Sequence, residues 1–476
     1  MEFIHGLIGQ ANTLLWSYIL IGLLLGLGLY FTIKTRFVQL FKMGEMFRVL
    51  RDKNEGIRGE KSITSLQAFF IGAATRIGTG NVAGVAMAIA LGGPGAVFWM
   101  WIVAVLGGAS AFVESTLAQI YKVKDKVGFK GGPAYYIQKQ LGAKWLSSIF
   151  AFSIILSFGL TFNAVQSNTI AAAFTNSFNV NGAVIGGVLV VLTAVIIFGG
   201  IQRIAKFSAI IVPIMAVFYI ILAAIVVVTN ITSVPAVLSL IVKSAFGFEQ
   251  VLGGGIGAAI MMGVKRGLFS NEAGMGSAPN AAATAVVSHP AKQGFVQALG
   301  VFFDTIIVCT ATAFIILLSD AYTTGLQGIE LTQASMAEHF GGWASIFVAV
   351  AIFMFAFSSI IGSYYYGEAN IEFVNKSKAG LLVYRIIALG FVMFGAVASL
   401  QIVWDFADLA MAIMALINLI AIGILGKFAF KALDHYLEQR KQGLDPVFYA
   451  DDIQGLKGVE CWQTPDKEQA KKVANI

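Results

Sequence analysis

The residues best placed to do chemistry lie in two short polar stretches set inside otherwise apolar sequence. The first is Ala73-Ala-Thr-Arg-Ile-Gly-Thr-Gly-Asn-Val-Ala-Gly84, within the apolar run from Ile63 to Leu91. Glycine weakens a helix by about 1 kcal/mol relative to alanine, so Gly78 and Gly80, on either side of Thr79, predict a local unwinding. Unwound backbone in hydrocarbon is tolerated only where it is buried in protein or lines a wet cavity. It exposes N–H groups at one half-helix end and carbonyls at the other; the first attract a carboxylate and the second a cation. The second stretch is Gly263-Val-Lys-Arg-Gly-Leu-Phe-Ser-Asn-Glu-Ala-Gly-Met-Gly276. Two interrupted apolar segments at matching positions in two halves of a chain point to a transporter binding site.

Each stretch has a plainer reading. Glycines also allow close helix contact in lipid. Gly78-x-Gly80-x-x-Ala83 matches a dinucleotide fingerprint, but that motif needs a preceding strand and an α/β unit, and here it lies in a membrane span. Gln166 stands mid-span in Asn163-Ala-Val-Gln-Ser-Asn168; an amide in lipid must pair, so it faces the bundle. Glu114 and Asp304 also lie within spans, where charges are costly, and are expected in pairing or gating rather than in ligand contact. Arg76 and Glu272 are candidates to pair across the two breaks, and Lys265 and Arg266 to bracket a gate. The four histidines show no metal-binding spacing.

Composition sets the class of protein. The chain has 476 residues, 58% hydrophobic and 12% charged, with a mean hydropathy of +0.81. Soluble domains carry about 25% charged residues, so this is an all-α polytopic membrane protein. The net charge of +7 is no nucleic-acid signal, because the basic residues fall between apolar spans. Cys309 lies in a span and Cys461 in the polar tail, which argues against a disulfide. No cleavable signal peptide is evident.

About 20 apolar residues cross a bilayer, and eleven spans are expected: 14–33, 63–91, 95–121, 145–174, 183–198, 205–229, 251–287, 294–318, 343–366, 380–400 and 404–428. The segment 233–246 reads as an interfacial helix. Lysines and arginines follow the odd-numbered spans, as in Lys34, Arg36 and Lys42, then Lys122, Lys124 and Lys126, then Arg203 and Lys206. The positive-inside rule then puts the N-terminus outside and the tail in the cytoplasm. Spans two to six and seven to eleven form two sets of five that run in opposite senses, each opening on a broken span. The expected divisions are residues 1–62, an extra helix and basic loop; 63–229 and 230–428, the two repeats; and 429–476, the tail. Asn81-Val-Ala-Gly84 and Asn271-Glu-Ala-Gly274 echo each other.

Four motifs carry a resemblance to a known family: Arg76-Ile-Gly-Thr-Gly-Asn-Val-Ala-Gly-Val-Ala-Met-Ala-Ile89, Gly131-Gly-Pro-Ala-Tyr-Tyr136, Arg266-Gly-Leu-Phe-Ser-Asn-Glu-Ala-Gly-Met-Gly-Ser277 and Tyr365-Tyr-Gly-Glu368. With them the chain resembles the alanine/glycine:cation symporter family of the amino acid–polyamine–organocation superfamily. The resemblance covers spans two to nine. It implies a LeuT-type inverted repeat with one extra N-terminal helix, eleven spans, and sodium-driven import of small neutral amino acids across a bacterial or archaeal cell membrane. No cofactor beyond the coupling sodium is implied, and the protein is expected to act as a monomer in the bilayer.

On that basis the Thr79 and Gly80 N–H groups become a seat for the substrate carboxylate. The carbonyls around Gly267 to Phe269 suit its ammonium, and Gln166, Ser270 and Asn271 are side-chain contacts. Sodium is a hard cation that takes oxygens; the expected cage joins the Ala74 and Ile77 carbonyls to the Ser358 and Ser359 hydroxyls, with Asn81 as a second cation ligand. Serines that bond back to their own helix are the plainer alternative. Ser363 stands where the family usually has a large aromatic, which implies a roomier pocket and makes glutamine an alternative main substrate. An ATP pump is excluded, since the Gly426-Lys427 pair is followed by Phe428 rather than Ser or Thr. A membrane enzyme would need clustered acid–base or metal ligands; a channel would share the broken helices but not saturable uptake.

Overall fold

The computed structural model describes residues 2–52, 63–125, 128–199, 201–248 and 255–463. Lys53, Arg58 and Lys61, the start of the seventh expected span and the tail beyond 463 lie outside the described residues. The molecule is mostly helical. Among the described residues, seven helices are long and apolar enough to cross a membrane: Ile8–Lys34, Gly95–Ile120, Lys144–Phe178, Ala291–Leu317, Trp343–Val374, Lys378–Val397 and Leu400–Lys441. They match expected spans one, three, four, eight, nine, ten and eleven.

The other four expected spans differ from simple rods. Gly182–Ile197 is a helix of 16 residues, shorter than a bilayer-crossing rod. In Ile201–Thr229 the polar turn at the end is followed by Val234–Ala245, which leaves the preceding helix at 103°. The remaining two are the broken ones. A short antiparallel pair, Val123–Asp125 with Gly128–Lys130, forms outside the helical bundle.

The first broken helix starts at Ser65 behind a capping box, in which Thr64 accepts from Gln67 N and the Gln67 side chain accepts from Thr64 N. It stops at Arg76. Ile77 is extended (φ −77°, ψ 91°), and the chain re-enters a helix through a wide π turn over Gly80–Gly84, a form found mostly at functional sites. The second runs Ile256–Asn271 and ends on Glu272, which takes a left-handed conformation at φ 60°. Gly274 and Gly276 follow at φ 83° and 85°, and a short helix, Ala278–Ala282, opens with proline in its first turn. The second break is therefore 272–277, later than the glycines at 263 and 267 suggest. Those two serve packing instead. A Cβ on Gly263 would stand 2.5 Å from Ala96 O, and one on Gly267 3.3 Å from Met100 Cα, so both let Ile256–Asn271 press against Gly95–Ile120.

The two broken segments are also tied at their outer ends. Val286 N donates to Ile63 O at 3.0 Å, next to an isolated parallel bridge between Ile63 and Ala285. The extra first helix packs on the last one: Asn12 Nδ2 donates to Asp405 O at 3.2 Å and Trp16 Nε1 to Asp408 O at 3.3 Å. The tail folds back as well. Phe448, Ile453 and Trp462 are buried, Trp462 Nε1 donates to Gln119 O at 2.8 Å, and Phe448 N donates to Ser288 O at 3.1 Å. Beneath the Trp462 ring sits the Lys122 ammonium, 4.6 Å from its centroid and 4.3 Å from that of Phe129. Burial pushes Lys122 down to about 7, and its Nζ donates to Ala285 O at 3.1 Å.

Gly263→Val tests the close approach of the second broken helix. The added methyls meet backbone rather than a movable side chain, so the thermal midpoint of the purified protein should fall by the equivalent of about 1–3 kcal/mol. A wild-type melting curve would mean that the helices have room to separate there.

Candidate functional site

The first break crosses the last turn of the second broken helix at Gly80. A Cβ placed on Gly80 would lie 2.9 Å from Ser270 Cα and 3.2 Å from Phe269 Cδ1, so the first break touches the helix just before the second break through a position that only hydrogen fills. One on Gly78 would collide with Ser359 Oγ and stand 3.0 Å from Gln166 Oε1. The crossing thus brings together Gly78, Thr79, Gly80, Gln166, Phe269, Ser270 and Ser359, all from the sequence-derived set or its immediate neighbours.

Four of the freed N–H groups find buried side-chain partners. Gly78 N donates to Asn81 Oδ1 at 2.9 Å, and Thr79 N donates to Gln166 Oε1 at 3.0 Å. Gln166 therefore occupies, with a neutral carbonyl oxygen, a position expected for a carboxylate. The Thr79 hydroxyl is buried with no hydrogen-bond partner. In the second break, Glu114 Oε1 accepts from Gly274 N and its Oε2 from Gly276 N, both at 3.1 Å, and Asn418 Nδ2 also donates to Oε2 at 2.8 Å. Glu114 is a carboxylate built in as the partner of those N–H groups, a positioning role.

The carbonyl side is equally specific. Ser359 Oγ donates to Ala74 O at 2.9 Å and Ser358 Oγ reaches the same carbonyl at 3.5 Å, while both also meet Phe355 O on their own helix, at 3.1 and 2.8 Å. Ala74, Ser358 and Ser359 form one oxygen cluster, and the back-bonding alternative operates alongside it. The extended Ile77 follows one turn on. Asn81 stands elsewhere: its oxygen is committed to Gly78 N, and its Nδ2 donates to Asp304 Oδ1 at 2.6 Å. On the second segment, Gly267 lies inside the regular helix. Ala273 N turns to Asn271 Oδ1 at 3.0 Å instead of a helical carbonyl, so the ladder opens at Phe269 rather than at Gly267.

Asp304 is the residue whose place sequence reasoning missed. Its Oδ1 takes the Asn81 amide of the first break; its Oδ2 takes the Ser270 and Thr305 hydroxyls, each at 2.8 Å. One carboxylate in the wide turn Phe302–Cys309 thus holds both breaks. An aspartate within an apolar span was the available signal.

One flank of the crossing is closed by rings and charge. Phe162 stacks on Phe269 at 4.3 Å between centroids, and Phe269 leans on Trp404 at 4.7 Å. Arg266 lies 4.3 Å over Trp404 and grips Asp408 with two bonds of 3.1 and 2.8 Å, while Lys265 reaches the same carboxylate at 2.7 Å. The expected bracket of Lys265 and Arg266 acquires a partner, Asp408. The Arg76–Glu272 pairing does not form as an ion pair among the described residues. Ser363 is fully buried on the Trp343–Val374 helix, one turn beyond Ser359, with its hydroxyl unpartnered.

Interrupted helices crossing at mid-bundle, with hard oxygens on one side and paired charges on the other, define a membrane transporter. The fold agrees: a manganese transporter of Eremococcus coleocola, in a mutant crystal structure, superposes with a TM-score of 0.50 at 13% identity, over 88% of this chain and 86% of that one. The chain belongs to the sodium:alanine symporter family, whose sequence pattern matches residues 1–450. It is 59% identical to the amino-acid carrier protein AlsT of Bacillus subtilis, over 98% of this chain and 99% of that protein. It is 56% identical to that organism's probable sodium/glutamine symporter GlnT, over 98% and 97%. The sodium/alanine symporter AgcS of Methanococcus maripaludis is 38% identical over 93% and 99%.

Two substitutions probe the crossing. Gly80→Val adds atoms against Ser270 backbone and should abolish substrate-induced thermal stabilisation while the protein still inserts; a normal shift would remove the carboxylate seat from Thr79 and Gly80. Asp304→Ala strands the Asn81 amide and the Ser270 hydroxyl and should destabilise the protein by about 1–3 kcal/mol. An unchanged melting midpoint would show that the carboxylate does not hold the two breaks.

Proposed function

We propose that this chain is a sodium-coupled symporter that imports small neutral amino acids by alternating access. The carrying observation is the crossing at Gly80, where a break whose Thr79 N–H is met only by the neutral Gln166 oxygen adjoins the Ala74–Ser358–Ser359 oxygen cluster. Thr79 and Gly80 receive the substrate carboxylate, which displaces the Gln166 oxygen from Thr79 N. Phe269 O, Ser270 and Asn271 face the ammonium end. Sodium, as co-transported cargo, takes the Ala74 and Ile77 carbonyls with the Ser358 and Ser359 hydroxyls, oxygens that suit a hard cation. Asn81 serves the site from beside it, as the clamp on Gly78. The names of the relatives, which mention sodium, alanine and glutamine, support this reading.

The topology proposed with it is eleven spans as one helix plus two inverted sets of five, counting the two broken helices, Gly182–Ile197 and the bent segment as crossings. The basic loops place the N-terminus outside and the tail in the cytoplasm of a prokaryotic cell. The chain is not an enzyme; it acts as a monomer and needs no cofactor besides the coupling ion. Accumulation of labelled alanine in proteoliposomes should vanish when external sodium is replaced by choline. Uptake that persists and follows a proton gradient alone overturns the sodium cluster, and non-saturable flux favours a channel.

Glutamine as main substrate is favoured by one observation, the buried and unpartnered Ser363 hydroxyl. A pocket that hydrogen-bonds its ligand rejects analogues far more strongly than an apolar one, which discriminates a methylene by only about 1–3 kcal/mol. Glutamine should compete with labelled alanine in the wild type and lose that ability in Ser363→Trp. Equal competition in both, or weak competition in the wild type, removes Ser363 from the pocket and leaves alanine or glycine as the substrate.

A further inference from the structure

Beside the crossing, on the side of Ile63 and Ala285, lies a group of buried polar atoms that the proposed transport site does not use. Arg76 is 2% exposed, yet its Nε and Nη2 have no hydrogen-bond partner, and its Nη1 makes only a 3.5 Å bond to Gln297 O. Glu272 is fully buried; its Oε2 accepts from Ser277 Oγ at 2.6 Å and its Oε1 has no partner. The two charges form no ion pair among the described residues. Gln297, also fully buried, has both side-chain atoms unpartnered. Four residues earlier, one turn down the same helix, Gln293 Nε2 donates to Ser65 Oγ at 2.9 Å while its Oε1 is left over.

Orphaned buried polar atoms are few in native structures, and each calls for an explanation. Here they share a direction. Arg76 ends the half-helix that begins at Ser65, and Gln297 and Gln293 line the helix beside it, from the break down to that start. Their chemistry is complementary to one kind of molecule: free guanidinium donors for a carboxylate, a free carboxylate oxygen for an ammonium, and amides that serve either. Glu272 holds this position at φ 60°, a conformation that costs a non-glycine residue about 1 kcal/mol or more and that clusters at functional sites.

We propose that Arg76, Glu272 and Gln297 form a second seat for the zwitterionic amino acid, which holds it on departure from the crossing, with Gln293 and Ser65 as the next polar step outward. This rests on the symport reading above and adds to it a stage after the sodium-coupled one. The carboxylate passes from the Thr79 and Gly80 N–H groups to Arg76, and the ammonium from Phe269 O, Ser270 and Asn271 to Glu272. No covalent step is involved.

The test separates binding from exchange in the full-length protein. Binding is the sodium-dependent retention of labelled alanine by purified protein; exchange is alanine counterflow in proteoliposomes. Glu272→Gln and Gln297→Leu should keep affinity within about threefold and slow exchange by about tenfold or more. The double variant Arg76→Gln/Glu272→Gln distinguishes a merely structural pair, since removing both partners of a buried pair is often near neutral. It should remain slow; recovery of wild-type exchange overturns the proposal. Loss of binding together with exchange also overturns it, because the residues then belong to the first site. Should these variants fail to reach the membrane, Gln293→Leu, which alters no charge, must still slow exchange with affinity kept, and normal exchange counts against the seat. A wild type without sodium-dependent binding would instead defeat the symport reading itself.

Discussion

A peptide group that leaves a helix inside hydrocarbon has no water to turn to, and each one left unsatisfied costs several kcal/mol. The interior of this molecule is arranged around that cost at two places. Asn81 and Gln166 meet the N–H groups of Gly78 and Thr79; Glu114 meets those of Gly274 and Gly276. Ser359 takes the carbonyl of Ala74. Most of these partners come from other helices, so the breaks exist only because the bundle around them is complete. The same bonds explain why the interior carries so many amides and carboxylates despite its apolar composition.

The partners differ in how firmly they are committed. Glu114 is held by two backbone donors and by Asn418, which also donates to Gly274 O at 2.9 Å, and it solvates the second break permanently. Gln166 makes one bond to the first break, through a neutral oxygen that a charged carboxylate outcompetes, because hydrogen bonds to ionised acceptors are about twice as strong. Two breaks of similar sequence are thereby made unequal: one is met by a charged carboxylate, the other by a single neutral amide oxygen.

Much of this could be read in the chain, because glycine, threonine and asparagine inside an apolar run have few structural uses. Gly78 and Gly80 announced themselves that way, whereas the Ser358-Ser359 pair was named only by what the family resemblance implies. The second break was read too early because Gly263 and Gly267 have a competing use, close approach to Ala96 and Met100, that sequence spacing cannot separate from unwinding. Glu114 and Asp304 were visible as charges in spans, but their roles depend on partners 160 and 223 residues away, which no local pattern encodes. Seven spans were legible as long apolar helices, and the bend of 103° after Thr229 falls between the sixth expected span, ending at 229, and the separate short segment read at 233–246.

The packing of the first helix on the last bears on how the molecule is made. Trp16 and Asp408 are 392 residues apart, so at roughly 5–20 residues per second of synthesis the first span waits about 20–80 s in the bilayer for its neighbour. During that interval its indole lacks the Asp408 carbonyl, although its second half can already pack on Gly95–Ile120, where Gly28 lies against Leu106. The N-terminal turns of the earliest segment to be inserted are thus among the last to be locked in place, and nascent chains cut short before Asp408 would carry a first helix held at one end only.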